Sequence, residues 1–309
     1  MEKQSTSSIL MVRPRRFGFN DQTAVSNFFV NKATKYQEVH QKALREFDQL
    51  AEVLERHGIK VSIFEAMNEP YSPDSIFPNN WISTHEDGST FLYPMEAPNR
   101  RMERREDILA TLSQYYQVKE IIDLTHFERQ NQFLEGTGSM ILDRRNKIAY
   151  ACLSSRTSKS ALSEFCRISG YRAVTFNAVD KNNRAIYHSN VMMSVGSDFS
   201  LVCTESIRDS EEIDSLNKSL QQTEKQIIPI TLEQVNHFAG NILEIRSNKG
   251  EPMIIMSEQA FKSLRPEQIK RLERFGDLLF SPLYTIEAVG GGSARCMIAE
   301  IFLPILSDN

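Results

Sequence analysis

Apolar positions along this chain come mostly in short blocks, and only one block keeps a single period for long. Tyr36, Val39, Ala43, Phe47, Leu50 and Leu54 recur at three- and four-residue intervals. That spacing predicts a helix over roughly Thr34 to His57, with Gly58 as its C-terminal cap. Before it, Ile9-Leu10-Met11-Val12 reads as a strand stopped by Pro14. After it, Ile59, Val61 and Ile63 alternate with polar neighbours, the mark of a half-buried strand. The succession helix, glycine, strand then returns. Ser160–Ser169 leads through Gly170 to Tyr171–Phe176, Leu232–Ala239 through Gly240 to Asn241–Ile245, and Pro266–Phe275 through Gly276 to Asp277–Phe280. Such recurrence points to a repeated strand–helix architecture, although the units share no sequence identity.

Short strands are predicted in the gaps, at Phe91–Tyr93, Val118–Leu124, Ser139–Leu142, Ile148–Leu153, Val191–Val195, Leu201–Thr204 and Met253–Met256. Strands therefore outnumber helices, and a doubly wound sheet with one helix per strand fits poorly. The polar stretch from Asp209 to Lys225 reads as an exposed helix, with Pro229 closing the short segment after it. The apolar run Ile298 to Leu306 reads as a buried strand. No low-complexity linker interrupts the chain, so residues 1–309 are taken as a single α/β domain, with 1–8 as a flexible polar tail.

Composition narrows the functional classes. The chain is 40% hydrophobic and 25% charged, ordinary for a globular protein with a sizeable core. A net charge of −4 gives no basic field for nucleic acid. No apolar run reaches the ~18 residues of a membrane span, and the N-terminus lacks a signal peptide's apolar core. Cys152, Cys166, Cys203 and Cys296 are far apart, without a CxxC pair or a histidine at metal-ligand spacing. Reduced thiols in a cytoplasmic compartment are the expectation.

Candidate chemistry lies where glycines and polar residues punctuate the strands. Gly290-Gly-Gly292 precede Arg295 and Cys296, so an open backbone presents a thiol beside a cation that would favour the thiolate. A tight turn ahead of a core cysteine explains the same residues equally well. Leu134-Glu-Gly-Thr-Gly138 places Glu135 before a strand, and Tyr187-His-Ser-Asn190 places His188 before another. Phe77-Pro-Asn-Asn-Trp81 holds two amides and the only tryptophan. Singly, each is explained by turn chemistry or a satisfied histidine. Together Glu135, His188 and Cys296 form the set of a Cys–His hydrolase with an acidic partner.

These motifs resemble the guanidine-modifying enzymes of the pentein superfamily, most of all the branch of arginine deiminase-related, citrulline-utilising hydrolases. The likeness runs from Met11-Val-Arg-Pro14 to Cys296-Met297 and rests on Glu135-Gly-Thr-Gly138, His188-Ser-Asn190 and Gly290-Gly-Gly-Ser-Ala-Arg-Cys296. The resemblance implies a five-bladed α/β propeller of ββαβ repeats, with Cys296 as nucleophile and His188 as general acid/base. It further implies that Glu135 holds the reacting nitrogens. Arg156 would bind the substrate's α-carboxylate, and Arg100 or Arg101 would supply a second substrate-binding arginine. Trp81 is either pocket wall or core.

Two departures bear on the substrate. Arginine deiminases carry aspartates where this chain has Asn80 and Asn190. Those carboxylates suit a guanidinium, which offers only N–H donors and a positive charge. A carboxamide instead donates to a ureido oxygen and accepts from a ureido N–H. The expected activity is therefore cysteine-dependent hydrolysis of the ureido group of citrulline or a similar amino acid. Ornithine, ammonia and carbon dioxide would form through an S-carbamoyl intermediate, with no cofactor. Arginine deiminase-type hydrolysis, amidino transfer and a non-catalytic amino-acid-binding propeller are the alternatives. The expected partner is a small-molecule amino acid, not nucleic acid or membrane, and homo-oligomer formation is left open.

Overall fold

The computed structural model describes residues 2–30 and 36–306. Its strands form five small sheets of three. In the second sheet β3 (Ile82–Thr84) pairs antiparallel with β4 (Ser89–Leu92), which pairs parallel with β5 (Glu120–Asp123). The same plan repeats in β6 (Met140–Asp143), β7 (Ile148–Cys152) and β8 (Arg172–Phe176), and in β9 (Met193–Val195), β10 (Phe199–Val202) and β11 (Gln226–Pro229). It repeats again in β12 (Leu243–Arg246), β13 (Pro252–Ser257) and β14 (Asp277–Ser281). The first sheet is completed from both ends of the chain. β1 (Ser8–Arg13) pairs parallel with β2 (Lys60–Glu65) and antiparallel with β15 (Ala299–Glu300). Each parallel crossover carries helix, as parallel neighbours require.

The local reasons are the expected ones. The helix Tyr36–Arg56 buries Ala43, Phe47, Leu50, Ala51 and Leu54 along one stripe, and Gly58 ends it with φ +77°. Its expected first residues, Thr34 and Lys35, lie outside the described residues. The helix Ser210–Gln222 is exposed on one side but buries Leu216 and Leu220 against its unit. The core is divided into four apolar clusters packed between units and between sheets and helices.

Two expectations need correction, and one segment left unassigned by the sequence is a strand. The run after Cys296 makes only the two-residue β15, because Pro304 and the turn after Glu300 interrupt pairing. The segment Gln226–Pro229 is a strand, its pattern shortened by Pro229. Residues 2–8 are no flexible tail. The inner strands β3, β6, β9, β12 and β15 lie around a common axis, and residues 2–8 bond to their far ends. Gln4 Nε2 donates to Leu142 O and Val195 O, and Ser5 Oγ to Glu244 Oε1. Polar residues are needed there because buried backbone acceptors demand donors.

Trp81 packs with Leu10, Val12, Ile82 and Met95 and is core.

Candidate active site

The residues just before the inner strands converge at the opposite end of the axis from Gln4. Asn80 precedes β3, Glu135 precedes β6, His188 and Asn190 precede β9, and Cys296 precedes β15. Repetition of one unit thus brings side chains from distant parts of the sequence to one place. A small cavity is lined by Asp74, Asn80, Arg100, Arg156, Tyr187, His188 and Cys296, with Phe77, Asn27 and Gly290–Gly292.

Close approach of these loops explains the glycines. A Cβ on Gly138 would stand 2.4 Å from Asn80 Nδ2 and 2.7 Å from His188 Nδ1. Any larger residue would drive the loops apart. Gly291 ends the helix Tyr284–Gly290 with φ +65°, turning the chain into the Ser293–Cys296 turn, where Cys296 N donates to Ser293 O.

Glu135 and His188 form a buried pair, Nε2 to Oε2 at 2.9 Å. Burial would raise the Glu135 pKa, but Arg156, the His188 hydrogen bond and Arg100 outweigh it and hold the carboxyl far below its usual range. An ionised carboxylate accepts, so His188 Nε2 carries the proton and Nδ1 is the basic nitrogen. Burial, opposed by Glu135 and aided by Arg156 and Arg100, lowers the His188 pKa, so the imidazole is neutral at pH 7. Both Glu135 oxygens already have a protein partner. Oε2 takes His188 and Oε1 takes Glu96 N, so the carboxylate orients the imidazole.

Cys296 Sγ receives two carboxamide donors at 3.2 Å, Asn190 Nδ2 and Asn241 Nδ2. Arg295 acts on Cys296 through space and makes no hydrogen bond to the sulfur. Its guanidinium donates to Ile298 O and Glu300 Oε2, toward the axis. The other cysteines are less acidic than an ordinary thiol. Burial pushes Cys152 up to about 12, and Cys166 and Cys203 to about 11.

Of the arginines, Arg156 lines the cavity and lies over the Tyr187 ring at 4.7 Å. Its Nη2 donates to Thr23 O and Ser26 Oγ, and its Nη1 stands 3.5 Å from Glu135. Arg100 is fully buried and forked onto Glu103, with Nη1 donating to Asn80 Oδ1 at 2.8 Å. It anchors the floor and has little left for a substrate carboxylate. Arg101 points outward to Met95 O, Glu96 O and Glu128, and does not line the cavity.

Three features escaped sequence reasoning. Asp74 Oδ2 accepts from Asn20 Nδ2 and Thr23 Oγ1 and lies 3.9 Å from Arg100. The segment Phe17–Val30, without strand or helix, covers the site through Asn20, Thr23, Ser26 and Asn27. Its small polar residues at three- and four-residue spacing were the available signal. Asn241 precedes β12 in the position the other site residues occupy in their units, and the fivefold repeat was the clue to it.

Glu287 sits behind the nucleophile turn. Its Oε1 accepts from Ser293 Oγ, while Oε2 is buried without a partner. Burial pushes its pKa up to about 7. A carboxyl whose pKa is raised on folding stabilises the fold fully below its unfolded value and less as pH climbs through 7. The expected loss between pH 5 and pH 8 is about 3 kcal/mol, partly screened. Urea unfolding of Glu287→Gln should show a much flatter pH profile than the parent; parallel profiles would refute this.

Comparison with known proteins agrees with this architecture. The fold, with its five three-stranded sheets, is that of the solved structures below, and the family-model match puts the chain in the pentein superfamily of guanidino-modifying enzymes. Within it, residues 13–303 match the family model described as N,N dimethylarginine dimethylhydrolase, eukaryotic, and the chain belongs to that family. The apo crystal structure of ArgZ, an arginine dihydrolase from the ornithine–ammonia cycle in cyanobacteria, superposes with a TM-score of 0.76 at 18% identity. The match covers 97% of this chain but 41% of that one, so this chain spans less than half of that protein. The product-bound N-terminal domain of ArgZ matches over 96% of this chain and 99% of its own, with TM-score 0.74 and 17% identity. A dimethylarginine dimethylaminohydrolase variant in adduct with S-methyl-L-thiocitrulline gives 0.66 at 16% identity, over 97% and 100%. No curated protein sequence matches the chain. Among the described residues no helix is long and apolar enough to cross a membrane.

Proposed function

We propose that this pentein hydrolase cleaves the ureido group of citrulline or a close ureido amino acid. The observation that carries the reading is the orientation of the Asn80 carboxamide in the cavity wall. Arginine can only donate, so the Asn80 atom 2.8 Å from Arg100 Nη1 is Oδ1. The Nδ2 end, bonded once to Asn79 Oδ1, keeps a second hydrogen beside His188. Asn190 is turned the other way. Its Nδ2 meets Cys296 Sγ, and its buried Oδ1 has no partner. The Asn80 donor matches a group with a carbonyl oxygen, whereas Asn190 does not line the cavity and backs Cys296.

In the mechanism, His188 Nδ1 takes the thiol proton and Cys296 Sγ attacks the ureido carbon. Asn80 Nδ2 donates to the oxygen as it becomes anionic. His188 returns its proton to the departing nitrogen, leaving an S-carbamoyl cysteine. It then deprotonates a water that attacks the same carbon and releases Sγ. Overall one water is consumed, the two nitrogens leave as ornithine's δ-amine and ammonia, and the carbon leaves as carbon dioxide. Arg156 and Asp74 set one positive and one negative charge in the cavity wall, for the α-carboxylate and the α-ammonium of the zwitterion.

Asp74 also supports a second reading, with arginine as substrate, because it is a carboxylate that could pair with a guanidinium. Separate incubation of the purified protein with citrulline and with arginine decides between them. Ornithine and ammonia from citrulline support the proposal. Citrulline accumulating from arginine, with citrulline itself untouched, refutes it. Absence of turnover with intact ligand binding would favour a non-catalytic role.

A further inference from the structure

We propose that Asn241 is a catalytic residue of this site, the second of two neutral donors that stabilise the Cys296 thiolate formed as His188 takes its proton. The inference rests on Cys296 being the nucleophile, and not on the identity of the substrate.

Three contacts define Asn241. Its Nδ2 donates to Cys296 Sγ at 3.2 Å and to Asn190 O at 2.9 Å. Its Oδ1 accepts from Arg295 N at 3.1 Å, the residue immediately before the nucleophile. Because a backbone N–H only donates, the oxygen of the carboxamide is held on that side and the NH₂ end is held toward sulfur. The side chain is buried and comes from the loop leading into β12, so it is anchored by a strand.

The surrounding electrostatics give this donor its importance. The nearest cation in sequence, Arg295, has its guanidinium bonded to Glu300 and Ile298 O and acts on the sulfur only through space. The His188 imidazole is held neutral at pH 7. Hydrogen bonds to the sulfur itself therefore come from Asn190 and Asn241 alone among the described residues. Donors to an ionised acceptor are worth more than donors to a neutral one, and more again out of water. Removing one should disfavour the thiolate relative to the thiol.

Asn241 also ties the loop of Asn190 to the turn of Cys296, so a purely structural role must be separated from stabilisation of sulfur. The test is a pH titration of the ultraviolet thiolate band, taken as each protein minus its Cys296→Ala counterpart. It needs no substrate, so failure of the ureido reading would leave its outcome intact. For Asn241→Ala the midpoint is expected to move up by about one pH unit. With whichever substrate turns over, kcat should fall about 10–100-fold with a smaller change in KM. Asn241→Ser, whose hydroxyl is too short to reach sulfur, should show the same shift and serves if the alanine variant does not fold. A folded variant of either kind with an unmoved midpoint, whatever its melting temperature, overturns the proposal.

Discussion

Glu135→Gln should lower kcat by about 10³–10⁴-fold while leaving substrate affinity comparatively little changed. The carboxylate fixes which imidazole nitrogen carries the proton. A glutamine amide in its place could present NH₂ to His188 Nε2, which would move the proton to Nδ1 and remove the base from the cavity. The same substitution removes the charge that faces Arg156 at 3.5 Å and Arg100 at 3.8 Å, both buried. Leaving buried guanidinium charge short of a partner costs about 3–5 kcal/mol, so the variant should also unfold at lower denaturant. Steady-state kinetics and urea titration on one preparation check both statements. A folded Glu135→Gln enzyme with near-parental kcat would remove Glu135 from the mechanism.

Asn80→Asp tests the substrate. One aspartate oxygen can keep the bond from Arg100 Nη1. The other would replace Nδ2 and set a negative charge where a ureido oxygen must sit. Loss of an oxyanion donor costs about 10²–10³-fold, and the added repulsion acts in the same direction. Citrulline turnover should therefore fall by at least about 10²-fold in kcat/KM. A guanidinium meets that carboxylate favourably, so kcat/KM for arginine should rise in the same variant. The ratio of the two specificity constants is the measurement. If it is unmoved, Asn80 does not read the substrate and Asp74 becomes the residue to examine.

How legible the site was depends on the kind of signal each residue carries. Glu135, His188 and Cys296 stood beside glycines or strand starts, and their chemistry is rare enough to notice. The structure brings all three to one cavity wall or its immediate backing. Asn241 offered only a carboxamide at a strand start, indistinguishable from turn chemistry until the fivefold repeat aligned it with Asn80 and Asn190. Asp74 was hidden in the same way, as one acid among prolines and serines. Arg100 and Arg101 could not be told apart by sequence. In a 3₁₀ turn adjacent residues point in different directions, so one is buried against Glu103 and the other faces Glu128.

Local pattern by itself determined the repeated helix–glycine–strand units, the surplus of strands, and the types of group available for chemistry. These arise from periodicity, glycine's freedom and side-chain chemistry, all of which act over a few residues. Tertiary structure alone decided which end of the Asn80 carboxamide faces the cavity, which donors meet Cys296, and that polar residues at the N-terminus bond to the inner strands. Those outcomes depend on partners as far as 239 positions away, as for Ser5 and Glu244, and a hydrogen bond's direction exists only once its partner is in place.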